Sequence, residues 1–315
     1  MQILYFFESI RNPVLDFIMS AATYLGHEAI FLALALCLFW CIDKRAGYYV
    51  ISVGLAGTIC NQFMKIFFRI PRPWVLDPSF TIVENARAAA SGYSFPSGHT
   101  QCGVGAWGCV AHFTKNKALR ISAIVIAILI PITRMYLGVH TPLDVGVSFV
   151  LAILMVFAFY PMMKKSDSAT KFPGFLFIGI AALALGNFLY VHLNNFPTDI
   201  DLDNYSSALK NASTLLGATL GLIHVWYVDS KFLRFETKAV WWAQILKTVI
   251  GVALVFLVKS VLKTPINAMF ELLIGAETYA GDILRYYLVV VCAGILWPMT
   301  FPFFARLGAK KNNNT

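Results

Sequence analysis

Two long apolar runs meet at a short polar turn in residues 120–162, which read RISAIVIAILIPITRMYLGVHTPLDVGVSFVLAILMVFAFYPM. The runs occupy 120–138 and 142–162, and each is long enough to cross the roughly 30 Å hydrocarbon core of a bilayer as an α-helix. A helix satisfies its own backbone hydrogen bonds, which lipid cannot do for it. The stretch therefore predicts two membrane helices joined by a turn that carries Arg134, His140 and Asp144.

Similar apolar runs recur along the whole chain of 315 residues, which is 58% hydrophobic and 13% charged. Soluble domains carry about 25% charged residues, so this composition indicates a chain that folds mostly in lipid. The predicted fold class is all-α, a polytopic membrane helical bundle. About nine spans are predicted, at 28–42, 46–68, 98–114, 120–138, 142–162, 172–191, 206–228, 243–262 and 282–304. A short helix at 13–26, which begins with Pro13, is predicted to lie at the membrane interface.

The net charge of +9 could indicate a nucleic-acid partner, and the placement of the 25 basic residues argues against one. Cytoplasmic loops of membrane proteins are rich in Lys and Arg. With the 43–47 loop inside, the inner segments are 43–47, 114–120, 163–171, 229–242 and the C-terminal tail. These segments and their flanks hold 15 basic residues: Lys44, Arg45, Lys115, Lys117, Arg120, Lys164, Lys165, Lys171, Lys231, Arg234, Lys238, Lys247, Arg306, Lys310 and Lys311. The charge therefore indicates topology, with a cytoplasmic C-terminus, and we predict no nucleic-acid partner.

Three polar segments lie on the outer side in this topology, and the first is KIFFRIPRP at 65–73. Pro71 and Pro73 are expected to end the second span there. Lys65 and Arg72 are then two helical turns apart, so both can face one point at the outer membrane surface. The alternative is that the two cations only anchor the helix end by reaching to the interface.

The second segment is FPSGHT at 95–100, which opens the third span. Ser97 is a suitable N-cap, and Gly98 allows a ligand to approach the backbone. The free N–H groups of a helix start form an anion site. An ordinary helix start also explains Ser97, although it gives no reason for His99.

The third segment is TRMYLGVHTPLD at 133–144. Pro142 suits the first position of a helix and Thr141 the cap before it, so Asp144 can complete a capping box with Thr141. His140 and Asp144 are four residues apart, so the carboxylate can also hold one ring nitrogen of His140. The second ring nitrogen would then be free to attack, as in catalytic triads.

Together the segments place seven polar side chains on one side of the membrane, and this set suits phosphoryl transfer. Cations and backbone N–H groups would bind the non-bridging oxygens and stabilise transition-state charge. One histidine would attack, and the second would protonate the leaving oxygen. The seven side chains are those of Lys65, Arg72, Ser97, His99, Arg134, His140 and Asp144.

At these residues the sequence resembles the type 2 phosphatidic acid phosphatase superfamily, which also includes acid phosphatases and vanadium haloperoxidases. Residues 65–73 resemble its KxxxxxxRP motif, and residues 96–99 match its PSGH motif. Arg134, His140 and Asp144 match its SRxxxxxHxxxD motif, with Thr133 where the family usually has serine. Threonine keeps the hydroxyl, so the departure casts little doubt on activity.

The resemblance implies a role for each matching residue. His140 would be the nucleophile that forms a phosphohistidine, Asp144 would orient it, and His99 would be the general acid. The phosphate would be held by Lys65, Arg72, Ser97, Gly98 and Arg134. The resemblance implies no metal ion or other cofactor, and the sequence shows no carboxylate cluster for magnesium. It covers about residues 10–165 as a six-helix core. We therefore predict a phosphatase core at 1–168 and an accessory four-span region at 169–315.

The leading prediction is an integral-membrane lipid phosphatase with its active site on the extracytoplasmic face. Candidate substrates are polyprenyl diphosphate, phosphatidic acid, phosphatidylglycerol phosphate and sphingoid phosphates, and the sequence leaves their order open. Nine spans also resemble the glucose-6-phosphatase branch, whose substrate is soluble. A lipid-to-lipid phosphotransferase and a transporter of anionic lipids are two further candidates. Short loops are typical of a bacterial inner-membrane protein, and the oligomeric state stays open.

Overall fold

The structure, a computed structural model, describes residues 1–88, 90–165, 173–274 and 279–307. Within these ranges the regular structure is helical and no strand occurs, so the predicted all-α fold class is confirmed. The α-helices are Gln2–Ser9 (α1), Pro13–Thr23 (α2), Glu28–Cys37 (α3), Lys44–Phe68 (α4), Pro73–Leu76 (α5), Gly98–Phe113 (α6), Lys117–Tyr136 (α7), Pro142–Lys165 (α8), Gly174–Leu193 (α9), Leu202–Val228 (α10), Trp241–Val261 (α11), Lys263–Ile274 (α12), Ala280–Val291 (α13) and Phe301–Arg306 (α14).

Six helical segments in the described ranges are long and apolar enough to cross a membrane: Lys44–Leu76, Lys117–Tyr136, Pro142–Lys164, Gly174–Leu193, Trp241–Leu273 and Ala280–Arg306. A seventh is reached if Pro13–Gly26 and Glu28–Ile42, bent by 47° at their junction, form one broken span. This number is lower than the nine spans predicted. Helix α6 falls short because it has only 16 residues. Helix α10 falls short because polar side chains such as Asn211 and His224 are spread along it.

The chain divides into two compact units, each built from several separate stretches of sequence. The first contains 1–32, 49–161 and 182–212, and the second contains 33–48, 162–181 and the described residues from 213 onward. All the predicted site residues lie in the first unit. The predicted boundary after residue 168 lies in a stretch outside the described residues, and it stays a prediction.

The turn between α7 and α8 is held by two features of the first unit. Gly138 has a φ of 78°, and a Cβ there would lie 2.7 Å from Arg11 Nη2, so glycine suits both the backbone conformation and the space. Arg11 Nε donates a hydrogen bond of 3.1 Å to the Tyr136 carbonyl oxygen, and its Nη1 donates one of 2.8 Å to the Thr81 carbonyl oxygen. These contacts fix the segment that carries His140.

Close helix packing in the first unit depends on small residues. A Cβ added to Gly103 on α6 would lie 2.9 Å from the Gly26 Cα and would also meet Ile130 on α7. Small residues allow such close approach between membrane helices. The turn at 24–26 therefore packs directly against α6, the helix whose first residues belong to the predicted site.

Candidate active site

The three predicted polar segments come together in the first unit. The Ser97 amide donates a hydrogen bond of 3.1 Å to the Asp144 carbonyl oxygen, which joins the second segment to the third. A cavity of about 360 Å³ is lined by residues from all three segments, including Lys65, Arg72, Gly98, His99 and His140. Ser97, Arg134 and Asp144 are buried and are absent from its lining.

His140 lies between a cation and a carboxylate. Arg72 Nη1 is 3.0 Å from the His140 Nε2 atom and 3.5 Å from the His140 Nδ1 atom. The Nδ1 atom is 3.5 Å from Asp144 Oδ2 and 3.5 Å from Ser94 Oγ. The carboxylate thus faces one ring nitrogen, and the second ring nitrogen lies beside the guanidinium. This is the arrangement expected of an oriented nucleophile beside a phosphate-binding group.

Burial lowers the pKa of His140 well below its usual range. The positive charges of Arg72, Arg134 and Lys65 lower this pKa further. The imidazole is therefore neutral near pH 7, and the neutral form is the one whose nitrogen lone pair can attack.

Asp144 is positioned for both roles that the sequence left open. Its Oδ2 accepts a 2.7 Å hydrogen bond from the Thr141 amide, and the Asp144 amide donates to Thr141 Oγ1 at 3.3 Å. This reciprocal pair is a capping box at the start of α8. The same Oδ2 accepts a 2.6 Å hydrogen bond from Ser94 Oγ and faces His140. The cap therefore also fixes the carboxylate that faces His140.

Lys65 and Arg72 are held by backbone carbonyl oxygens of the segment 91–93. Arg72 Nη2 donates to the Ser91 carbonyl oxygen at 2.7 Å and its Nε to that of Gly92 at 3.1 Å. Lys65 Nζ donates to the Tyr93 carbonyl oxygen. Carbonyls orient the cations without neutralising them, so both charges stay available to an anion.

The expected helical spacing of Lys65 and Arg72 is wrong. Helix α4 ends at Phe68, because Arg69 takes a left-handed φ of 52° and Pro71 and Pro73 follow. Arg72 therefore lies beyond the helix, in the last extended residue before α5. The two cations reach the same cavity through this bend, whereas two turns of one helix were expected to align them.

Arg134 is fully buried and only partly hydrogen-bonded. Its Nη1 donates to Thr23 Oγ1 at 3.0 Å, while Nε and Nη2 have no hydrogen-bond partner among the described residues. Unpaired buried donors are costly, and an anion beside them would satisfy them. The neighbouring Thr133 hydroxyl donates to the Ile130 carbonyl oxygen at 2.7 Å. It therefore bonds within its own helix.

The start of α6 has the predicted cap. Ser97 Oγ accepts hydrogen bonds from the Thr100 amide at 3.4 Å and the Thr100 hydroxyl at 3.0 Å. Gly98 and His99, the first two residues of α6, line the cavity. The His27 ring lies edge-on to that of His99, with 5.6 Å between centroids. The helix N-terminus and a histidine thus face the same space as His140.

Sequence reasoning missed Ser94, which is buried and contacts both Asp144 and His140. It also missed the carbonyl oxygens of 91–93, because a backbone carbonyl has no residue-type signal. Ser94 lies two residues before Pro96, so its position next to the second segment was the available clue. Within the described ranges, no group of three or more His, Cys, Asp or Glu side chains could hold a metal ion. Metal independence stays a prediction.

The chain matches two families of known proteins. Residues 45–168, which contain all three polar segments, match the PAP2 superfamily. Residues 210–311 match the PAP2 superfamily phosphatase, transmembrane extension. The transmembrane extension thus follows the phosphatase region along the sequence. The chain is therefore a multi-pass integral membrane protein.

Similar proteins include three phosphatases from two organisms. The chain is 30% identical to phosphatidylglycerophosphatase B of Bacillus subtilis (strain 168), over 51% of this chain and 80% of the relative. It is 29% identical to undecaprenyl-diphosphatase BcrC of the same organism, over 48% of this chain and 77% of the relative. Identity to sphingosine-1-phosphate phosphatase 1 of Rattus norvegicus is 25%, over 81% of this chain and 61% of the relative.

The two family matches carry the same superfamily name and together cover most of the chain. Each of the three polar segments contributes residues to the lining of one cavity, and the chain spans most of a relative that is 30% identical to it. On these grounds the chain belongs to the PAP2 superfamily of phosphatases.

Proposed function

We propose that this protein removes phosphate from a lipid phosphate or polyprenyl diphosphate, with His140 as the nucleophile and no metal ion. The observation that carries the proposal is the position of His140. Its Nε2 lies 3.0 Å from Arg72 Nη1, and its Nδ1 faces the Asp144 carboxylate in a cavity that also contains His99. The named relatives, which act on phosphatidylglycerophosphate, undecaprenyl diphosphate and sphingosine 1-phosphate by their names, support a lipid substrate.

In the first step the neutral His140 Nε2 attacks phosphorus as the P–O bond to the leaving group breaks, which is an ester bond in a lipid phosphate and the anhydride bond in a polyprenyl diphosphate. Arg72, Lys65, Arg134 and the N–H groups at the start of α6 stabilise the charge on the non-bridging oxygens. A bound phosphate favours the protonated form of His99, which passes its proton to the leaving alkoxide. Asp144 stabilises the positive charge that develops on the His140 ring.

In the second step water attacks the phosphohistidine. His99, now neutral, takes a proton from the water, and the P–N bond breaks to release inorganic phosphate and restore His140. The three cations supply the positive charge that a metal ion supplies in other phosphatases. The proposed mechanism is therefore metal-independent.

We place the active site on the extracytoplasmic face of a bacterial inner membrane, with the C-terminus in the cytoplasm. The basic segments at 43–47, 114–120 and 229–242 support this orientation. The polar segments at 65–73, 95–100 and 133–144 lie at the ends of α4, α6 and α7 that are opposite to the basic segments 43–47 and 114–120. A lipid headgroup can then reach His140 while its chains stay in the bilayer.

The proposal predicts that the purified protein releases inorganic phosphate from lipid phosphates in excess EDTA, with a rate within about twofold of that without chelator. Phosphate release would be measured in detergent micelles on a panel of lipid phosphates, polyprenyl diphosphate and glucose 6-phosphate. A metal-dependent phosphatase, dialysed in parallel, serves as the control for complete chelation.

Each competing function gives a different result in this assay. Loss of activity in EDTA that returns with added magnesium would contradict metal independence. Preference for glucose 6-phosphate would indicate a phosphatase of soluble esters. Appearance of a newly phosphorylated lipid without free phosphate would indicate a phosphotransferase. Binding without cleavage of any substrate would leave the transporter as the remaining candidate.

A further inference from the structure

The catalytic cavity has a second polar wall that the proposed mechanism does not use. Its members are the carboxamides of Asn61, Gln62 and Asn211, which line the same cavity as His99 and His140. A fourth carboxamide in the lining, that of Gln101 on α6, already contacts Met155 Sδ through its Nε2 and is not counted with them. Asn61 and Gln62 are on α4, and Asn211 is on α10. None of the three belongs to the motifs recognised in the sequence. We call these residues the carboxamide cluster.

Asn61 is the member of the cluster whose hydrogen-bonding atoms are least satisfied by the protein. Only 1% of it is exposed, and neither Oδ1 nor Nδ2 has a hydrogen-bond partner among the described residues. Leaving such a buried amide unpaired is costly. Asn61 precedes Lys65 by one helical turn, and its Oδ1 is 3.9 Å from where a Cβ on Gly98 would lie. The unpaired amide is therefore beside the helix start that faces the phosphate site.

Gln62 and Asn211 extend this polar wall. Asn211 Nδ2 donates a hydrogen bond of 3.2 Å to Gln62 Oε1. That bond uses one donor and one acceptor of the pair, and the Gln62 amide nitrogen and the Asn211 carbonyl oxygen can each form further bonds. The pair and Asn61 can thus offer both donors and acceptors to one ligand.

The charge of the cavity indicates what kind of ligand this is. Lys65 and Arg72 are the lysine and arginine side chains in its lining, and the proposed mechanism assigns both to the transferred phosphate. The second wall adds neutral amides, and the exposed Glu28 carboxylate also lines the cavity. Among the described lining residues, a second phosphate group would meet no further lysine or arginine, and it would be repelled by Glu28. An alcohol with hydroxyl or amino groups would find partners.

We propose that the carboxamide cluster is a subsite for the leaving alcohol of a lipid phosphate monoester, and that it recognises hydroxyl or amino groups beside the ester carbon. This inference rests on the proposed function and narrows it, because it favours monoesters over polyprenyl diphosphates. Asn61 is a specificity-determining residue of this subsite. Its amide exchanges hydrogen bonds with the alcohol while His140 attacks the phosphorus.

The test compares four substrates of similar chain length: a 1-acylglycerol 3-phosphate, a sphingoid-base phosphate, octadecyl phosphate and a polyprenyl diphosphate. We expect the wild type to have a kcat/KM about tenfold higher for the hydroxyl-bearing monoesters than for octadecyl phosphate, and lowest for the diphosphate. Leucine has nearly the same shape as asparagine but cannot form hydrogen bonds. In Asn61→Leu, the ratio of kcat/KM for a hydroxyl-bearing monoester to that for octadecyl phosphate should fall about five- to tenfold toward one, as expected for one buried hydrogen bond. The difference in kcat/KM between the 1-acylglycerol 3-phosphate and the sphingoid-base phosphate shows whether the subsite recognises a hydroxyl group or an amino group.

Asn187→Leu is the matched control. Asn187 on α9 is also buried, and its Oδ1 has no hydrogen-bond partner in the described part of the chain, yet it does not line this cavity. Its substitution should leave the substrate ratio as in the wild type. Asn211→Leu, at a less buried position, provides a second test if Asn61→Leu does not fold, and the same fall in the ratio is expected.

Two results would overturn the inference. The first is a substrate ratio that Asn61→Leu and Asn211→Leu both leave unaltered. The second is a wild type that prefers the polyprenyl diphosphate to every monoester. In both cases the protein still releases phosphate, so the proposed function stands while the subsite fails. Absence of hydrolysis with all four substrates would instead contradict the proposed function itself, and the subsite with it.

Discussion

Replacing His140 with alanine is expected to lower phosphate release from the preferred lipid by at least about 10⁴-fold, as loss of a nucleophile does in other covalent mechanisms. The reason is that the P–N bond of the proposed mechanism forms at this ring. Its Nε2 lies beside Arg72, and no other group described in the cavity has the same support from a carboxylate. The measurement is single-turnover phosphate release by the purified variant in detergent.

His192→Ala is the control for this substitution. His192 lies at the exposed end of α9 and stacks on the Phe188 ring, with 4.0 Å between centroids. Its replacement should leave phosphate release within about twofold of the wild type, as expected for a surface position. Thermal unfolding of both variants checks that His140→Ala is folded. A folded His140→Ala protein with more than about 1% of wild-type activity would rule out this residue as the nucleophile.

Replacing Arg72 with alanine should lower kcat/KM by about 10²- to 10³-fold, the effect of removing one donor from a preorganised oxyanion site. Arg72 Nη1 is 3.0 Å from His140 Nε2, the atom that attacks the phosphate in the proposed mechanism. The same guanidinium binds the carbonyl oxygens of Ser91, Gly92 and Val139, so it also fixes the wall of the site. The ammonium group of a lysine cannot bond to these three carbonyl oxygens and to His140 at once. The kcat/KM of Arg72→Lys should therefore be less than about tenfold higher than that of Arg72→Ala.

Arg87→Ala provides the matched control, because it removes the same charge from the segment that joins α5 to α6. Arg87 is 46% exposed, and its Nε pairs with Glu84 Oε2 at 2.8 Å. Exposed pairs of this kind contribute little. We therefore expect phosphate release within about twofold of the wild type. Equal losses in the Arg72 and Arg87 variants would mean that net charge, rather than the position of Arg72, governs activity.

The helices could be predicted because apolar runs of membrane length have one stable solution in lipid. Eight of the predicted spans correspond to α4, α6, α7, α8, α9, α10, α11 and α13 with its continuation, and the first to α3 and the turn after it. Helices α1, α5 and α12 were missed. All three are short, and α12 begins two residues after the end of α11. Where a helix bends, as between Pro13–Gly26 and Glu28–Ile42, composition alone does not predict the angle.

The site could be predicted in part because its side chains carry their chemistry in short segments. Spacing within the third segment was enough to pair His140 with Asp144. Spacing was misleading for Arg72, because Arg69 ends α4 with a left-handed φ that no residue type requires there. Asn61, Ser94 and the carbonyls of 91–93 could not be assigned, since their role depends on which segments meet in three dimensions.

The most direct test of the proposed mechanism is to trap the covalent intermediate. The protein would be mixed with ³²P-labelled lipid phosphate, quenched in alkali within milliseconds, and mapped by peptide analysis. We predict a label that is stable to base, labile to acid and located on His140, and that accumulates further in His99→Ala because its hydrolysis is slowed. Label on another residue, an acid-stable label, or full turnover with no labelled protein at any time would contradict the account.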